Sequence, residues 1–283
     1  MSFTTLVDTH TLAGHLDDPA WVVFDCRHDL ARPDAGREEY LKSHIPGARF
    51  MHMDEDLAGP LTGRNGRHPL PDPAAFAAKL GAAGVGRDSQ VVAYDAQGGA
   101  SAARLWWMLR WLGHAAVAVL DGGLAKWLRE ERPETAALPR IAPARFAPRV
   151  RPLAVDVGFV ASHLRDGAVK LVDARSAERY RGEAEPIDPV AGHIPGSVNR
   201  FVGENLATGG VFKPAAQLRA EWQGLLAGVP GEGVVHSCGS GVAACHNLLA
   251  MEIAGLSGSR VYPGSWSEWC ADPRRPYVTG GDP

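Results

Sequence analysis

Leu171-Val172-Asp173-Ala174-Arg175, followed after a polar interval by His193-Ile194-Pro195-Gly196-Ser197, restates an earlier passage of the same chain. The first half carries Val23-Phe24-Asp25-Cys26-Arg27 and His44-Ile45-Pro46-Gly47-Ala48, at offsets of 148 and 149 residues. Two further pairs keep the order. Val91-Val92-Ala93-Tyr94-Asp95 answers Val234-Val235-His236-Ser237-Cys238 at an offset of 143, and Leu124-Ala125-Lys126-Trp127 answers Trp266-Ser267-Glu268-Trp269 at 142. Colinear matches with small drifts mean two copies of one domain, with length changes confined to loops. The period is far too long for a solenoid.

Each copy reads alike. A helix carries the opening segment (6–16; 157–164), and an apolar strand ends at Asp-x-Arg. A polar loop runs to His-Ile-Pro-Gly, and a second strand follows (48–50; 197–199). A helix (74–80; 215–226) precedes a strand ending at Asp95 or Cys238, then come another helix (102–112; 243–254) and a last strand (116–120; 259–262). Short apolar strands alternating with amphipathic helices predict an α/β fold, each domain a parallel sheet with helices on both faces. The Pro-rich run 138–148 has no clear period and predicts a linker at 139–150, between domains at 1–138 and 151–283.

Ligands of such sheets bind beyond the C-terminal strand ends, where Cys238 and Asp95 both fall. The stretch His236-Ser237-Cys238-Gly239-Ser240-Gly241-Val242-Ala243-Ala244 leads from an apolar strand through a thiol and small residues into a helix. A core strand has no use for Gly-Ser-Gly, whereas a loop that wraps an anion does. Free N–H groups and a helix N-terminus behind them favour a thiolate, the nucleophilic form. The first copy has Asp95 in place of the thiol, so the N-terminal domain is expected to be catalytically silent.

Composition narrows the field. The 283 residues, 45% hydrophobic and 22% charged, are those of a globular protein with room for two domains. A net charge of -3 gives no basic footprint for nucleic acid. The N-terminus lacks the basic and apolar regions of a secretory signal, and no run of apolar residues is long enough to span a bilayer. Four cysteines (Cys26, Cys238, Cys245, Cys270) form neither a disulfide framework nor a zinc motif, so a cytoplasmic setting is expected. Trp106, Trp107 and Trp111 read as packing residues, and Cys245 as a buried thiol rather than a resolving one.

The duplicated Asp-x-Arg and His-Ile-Pro-Gly, with Cys238-Gly239-Ser240-Gly241-Val242, resemble the tandem rhodanese-domain sulfurtransferases over essentially the whole chain. The loop looks like the 3-mercaptopyruvate version; the vertebrate thiosulfate type tends to carry Arg and Lys directly after the cysteine. A neutral loop also suits a donor whose charge lies further off, on a carboxylate, rather than a dianion. The resemblance implies two rhodanese-like domains and a cysteine persulfide on Cys238. It also implies a small-molecule sulfur donor, and a thiol acceptor such as thioredoxin or, in vitro, cyanide. It implies no cofactor and no metal. Gly239, Gly241, Val242 and Ala243 would cradle the sulfur, and Ser240 would hydrogen-bond the keto oxygen or help protonate the leaving enolate. Arg179 would hold the carboxylate. A Ser-His-Asp relay would map to Ser240, His44 and Asp34, although His44 recurs as His193 and also reads as a fold-keeping residue. Arg175, which recurs as Arg27, is expected to pair with Asp173 or Glu178.

Two departures stand out. The family's second substrate arginine, nine residues after the first, is replaced by Asp188, with Arg181 and Arg200 as nearby candidates to substitute. The usual Thr after Val is Ala243. Three rivals remain at this level: a thiosulfate:cyanide sulfurtransferase, a non-catalytic persulfide carrier, and a phosphatase. The last needs an arginine six residues after the cysteine, where this chain has Ala244.

Overall fold

The computed structural model describes residues 2–164, 167 and 169–281. It divides into two compact units. The first comprises residues 1–59, 70–151 and 207–212; the second comprises 60–69, 152–206 and 213–283. The Pro-rich run lies along the first unit: Ala144 N–H donates to Gly81 O, Arg149 N–H to Leu112 O and Arg151 N–H to Trp111 O. The segment 60–69, inside the N-terminal half of the sequence, belongs to the second unit.

The first unit is a parallel sheet of β1 (Leu6–Val7), β2 (Trp21–Asp25), β3 (Arg49–Phe50), β4 (Gln90–Tyr94) and β5 (Val117–Leu120), ordered β1-β5-β4-β2-β3. Its helices are α1 (Thr9–Ala13), α2 (Ala35–Lys42), α3 (Pro73–Ala82), α4 (Ala100–Trp111) and α5 (Gly123–Arg129). Central β4 is buried along its full length, as a strand covered on both faces must be. On α4, Trp106 and Trp107 are fully buried and Trp111 nearly so; Trp106 Nε1 donates to Thr4 O at 2.9 Å.

The second unit orders its strands β7-β6-β8-β9: β6 (Lys170–Asp173), β7 (Val198–Asn199), β8 (Val234–Ser237) and β9 (Arg260–Val261), all parallel. Among the described residues its α-helices are α6 (Val157–Ser162), α7 (Ala177–Arg181), α8 (Ala215–Leu226), α9 (Ala243–Ile253) and α10 (Ser265–Trp269). Val234 and Val235 on β8 are fully buried, and each contributes about 1.5–3 kcal/mol of hydrophobic stabilisation.

Two details differ from the sequence reading. The opening segment is a two-residue edge strand, β1, before a short helix that Asp8 caps by accepting Thr11 N–H. The polar interval before each His-Ile-Pro-Gly contains a helix, α2 or α7, whose weak apolar content hid it. Each of these helices presents one tyrosine to the core. Tyr40 stacks on His44 at 4.0 Å between ring centroids and Tyr180 on His193 at 3.7 Å. Tyr40 Oη donates to Ala48 O, and Tyr180 Oη to Ser197 O. In both copies the histidine Nδ1 meets the same tyrosine's carbonyl, at 2.7 and 2.8 Å. The repeated histidine therefore staples a helix to the turn that follows it.

His236, in the middle of β8, is fully buried, with Nε2 3.2 Å from Ser259 Oγ and no partner at Nδ1. Burial depresses its pKa from 6.5 to about 3. The unfolded chain binds a proton there below pH 6.5 while the folded chain does not. Stability is thus fully present above that value and falls by about 1.4 kcal/mol per pH unit between there and about pH 3. His236→Gln keeps a polar partner for Ser259 without a titrating group. Its urea midpoint should depend less on pH between 6 and 4 than that of the parent, and parallel curves would refute the assignment.

No helix among the described residues is long and apolar enough to cross a membrane.

Candidate active site

Cys238 follows the last residue of β8 and is 4% exposed. Its Sγ accepts N–H groups from Ser240 at 3.4 Å and Gly241 at 3.1 Å. The loop can aim its amides inward because its carbonyls are held outward. Trp266 N–H donates to Cys238 O at 3.0 Å, and Ser267 N–H to Gly239 O at 2.9 Å. Ser265, at a positive φ of 52°, accepts Cys238 N–H on its Oγ at 3.1 Å and donates to Tyr262 O at 2.8 Å. An unglycine-like residue in that region costs energy, here offset by two hydrogen bonds that anchor the nucleophile's own backbone. Gly241 is required: its φ is +77°, and a Cβ there would stand 2.4 Å from Pro263 O. Helix α9 starts at Ala243, directly behind the loop.

Around this loop runs an alternating chain of charges. Arg67 pairs with Asp188. Asp188 Oδ2 lies 3.2 Å from Arg179 Nη2, and that same nitrogen lies 2.7 Å from Glu185 Oε1. Glu185 Oε2 in turn meets Arg175 Nη1 at 3.3 Å, and Arg175 Nη2 meets Asp173 at 2.7 Å. Arg175 also donates to Gly192 O and lies over the Trp266 ring at 4.9 Å. Its copy Arg27 binds Asp25 and Ser43 O in the same manner, which identifies a fold-keeping pair. The partners of Arg175 are Asp173 and Glu185, not Glu178. Burial raises the Asp188 carboxyl above its ordinary range against the opposing pull of Arg67 and Arg179. At Glu185 burial also pushes upward, but hydrogen bonds from Arg179 and from the Asp188 and Ile187 backbone outweigh it and hold the carboxyl low.

Two guanidinium groups reach the loop. A Cβ built on Gly239 would stand 2.8 Å from Arg67 Nη2 and 3.5 Å from Arg179 Nη1. The sequence places no cation in the loop, yet the fold brings two against it from outside. Arg179 thus lies against the loop, its Nη1 directed at Gly239. The other guanidinium beside the loop belongs to Arg67, whereas Arg181 pairs with Glu183, and Arg200 with Glu221 and Glu204.

The imidazole beside Ser240 also requires a correction. Ser240 Oγ lies 2.8 Å from Nδ1 of buried His68. His44 has its Nδ1 on Tyr40 O and its Nε2 3.3 Å from Ala137 O, so it is occupied by the fold of the first unit. Asp34 is exposed and pairs with Arg37 at 3.5 Å. Arg67 and His68 escaped sequence reasoning because Asn65-Gly66-Arg67-His68-Pro69 has no counterpart in the second copy. A polar loop bearing Arg and His between Gly and Pro was the available signal. Gly66, at φ +80°, lets this segment lie against Gly264, and Arg67 N–H donates to Ser267 Oγ at 3.0 Å.

The equivalent cradle in the first unit is filled by its own side chain. The Asp95 carboxylate accepts N–H groups from Gln97, Gly99 and Ala102 at 2.8–3.0 Å. Asp34, His52 and Glu55 bring possible metal ligands within 4.8 Å of one another. However, His52 Nδ1 accepts the N–H groups of Asp54 and Glu55, so its ring proton sits on Nε2 and no lone pair faces the carboxylates. Glu55 is also committed to Arg37.

Comparison with known proteins bears on the family and the fold. The rhodanese-like domain model matches residues 8–130 and 157–272, and the chain belongs to that family. It is 46% identical over 283 residues to a Pseudomonas aeruginosa protein named probable 3-mercaptopyruvate sulfurtransferase, covering 99% of this chain and 100% of the other. It is 37% identical over 241 residues to the thiosulfate sulfurtransferase of Bos taurus, covering 82% of this chain and 79% of that one. The crystal structure of SseA, a 3-mercaptopyruvate sulfotransferase from Escherichia coli, superposes with a TM-score of 0.81. It is 33% identical and covers 94% of this chain and all of that one.

Proposed function

We propose that this protein is a sulfurtransferase that takes sulfur from 3-mercaptopyruvate onto Cys238 and passes it to a thiol or to cyanide. The observation that carries the reading is the Cys238 sulfur receiving two backbone N–H groups while two guanidinium groups overhang Gly239. The thiolate attacks the donor sulfur, the carbon–sulfur bond breaks, and its electron pair passes to the carbon as an enolate. The proton that began on the donor thiol ends on that carbon, giving pyruvate, and Cys238 is left as a persulfide anion. Amides fixed before the reaction stabilise that anion without reorganising. Ser240, coupled to His68, is the proton carrier to the enolate, in keeping with their 2.8 Å contact. A thiol acceptor such as thioredoxin then removes the outer sulfur and regenerates the thiolate. The silent role of the first domain is supported by Asp95, whose carboxylate occupies its own nest. The free state of all four cysteines supports a reducing compartment such as the cytoplasm.

A thiosulfate donor is the second reading, favoured by the two guanidinium groups beside the loop. Steady-state kcat/KM with each donor and cyanide as acceptor decides between them. 3-Mercaptopyruvate should exceed thiosulfate by about tenfold or more, a difference of about 1.4 kcal/mol. The reverse order would transfer the assignment to the second reading.

A further inference from the structure

Asp188 occupies the position where an additional arginine would be expected, and it lies between the two guanidinium groups that face the loop. Its side chain is 3% exposed, with one oxygen on Arg67 and the other 3.2 Å from Arg179. Each arginine therefore has one nitrogen on Asp188 and another toward Gly239: Nη2 of Arg67 and Nη1 of Arg179. The connected chain contains three guanidinium groups (Arg67, Arg175, Arg179) and three carboxylates (Asp173, Glu185, Asp188), so its formal charge is zero. Ionised Cys238 makes the assembly a monoanion. A donor with one remote carboxylate, such as 3-mercaptopyruvate, brings a single negative charge to this site. Thiosulfate brings two, one of them on the atoms next to the sulfur that must approach the thiolate.

We infer that Asp188 is a specificity-determining positioning residue: it bridges Arg67 and Arg179, holds them at Gly239, and cancels one of their charges, so that the site discriminates against a dianionic donor. The inference rests on the sulfurtransferase reading above. Asp188 does not touch the donor; it acts through the two arginines. Removing its charge while keeping its shape uncovers one positive charge beside the thiolate. Coulomb attraction for a dianion then grows about twice as much as for a monoanion.

The test is the ratio of kcat/KM for thiosulfate to that for 3-mercaptopyruvate, with cyanide as acceptor, in the parent, Asp188→Asn and Asp188→Glu. Asp188→Asn should raise the ratio about tenfold or more, mainly through a lower thiosulfate KM, and the gain should shrink as salt screens the uncovered charge. Asp188→Glu should restore most of the parent ratio. A ratio within about twofold of the parent in Asp188→Asn, or an equal loss for both donors, overturns the role. If Asp188→Asn does not fold, Arg67→Gln carries the test, because removing one guanidinium must lower the ratio. Intact mass of the parent after donor treatment separates the two levels. A persulfide with an unmoved ratio overturns the role of Asp188 alone, and no persulfide with either donor overturns the sulfurtransferase reading with it.

Discussion

Cys238→Ser will lose sulfur transfer, with kcat/KM falling by about 10⁴-fold or more while the fold is retained. The hydroxyl that replaces the thiol is of similar size and sits among the same N–H donors from Ser240 and Gly241. It is neutral at pH 7 and forms no stable bond to a sulfane sulfur, so the covalent intermediate disappears. Neither of the other two thiols in this unit is suited to take over. Cys245 is fully buried with its Sγ donating to Gly241 O at 3.2 Å, and burial raises the Cys270 thiol to about 11. An unchanged thermal midpoint beside the lost activity would place the effect in chemistry. Turnover above about one per cent of the parent would show that another group carries the sulfur.

Arg67→Ala and Arg179→Ala should each raise the donor KM by about tenfold to a hundredfold, with a smaller change in kcat. A hydrogen bond to a charged group contributes about 1.5–3 kcal/mol, and a guanidinium facing a carboxylate makes such bonds in pairs. Either truncation also leaves Asp188 with one cation fewer, and the under-paired buried carboxylate repels the anionic donor. The single substitutions therefore cost more than their own contacts. The double variant should fall short of the product of the two, because they share that carboxylate. Arg181→Ala, whose guanidinium pairs with Glu183, is the control and should leave KM within about twofold. An unchanged KM in Arg179→Ala would return that residue to the surface.

The duplication exposed what both copies need. Asp25 with Arg27 and Asp173 with Arg175 form the same buried pair, and His44 and His193 the same staple, so their recurrence in sequence marked structural roles. The alternating strands fixed the sheets, and the glycines around Ser240 located the cradle. What the two copies do not share was legible only in part. Cys238 stood out because Asp95 replaces it. Arg67 and His68 did not, because they lie in a loop that belongs to one copy and joins the second unit only in three dimensions. Motif spacing cannot register that kind of contact. For the same reason, the imidazole beside Ser240 is that of His68 rather than His44, and the loop that reads as neutral acquires two cations from elsewhere in the fold.

Everything depends on the Cys238 sulfur accepting a second sulfur atom within a ring of amides. Intact and peptide mass spectrometry after brief treatment with 3-mercaptopyruvate and no acceptor reads this directly. A gain of about 32 Da on the peptide holding Cys238, released by cyanide and missing in Cys238→Ser, is the expected result for a persulfide intermediate. A folded protein whose Cys238 peptide gains no mass, or whose added sulfur resides on another cysteine, would contradict it.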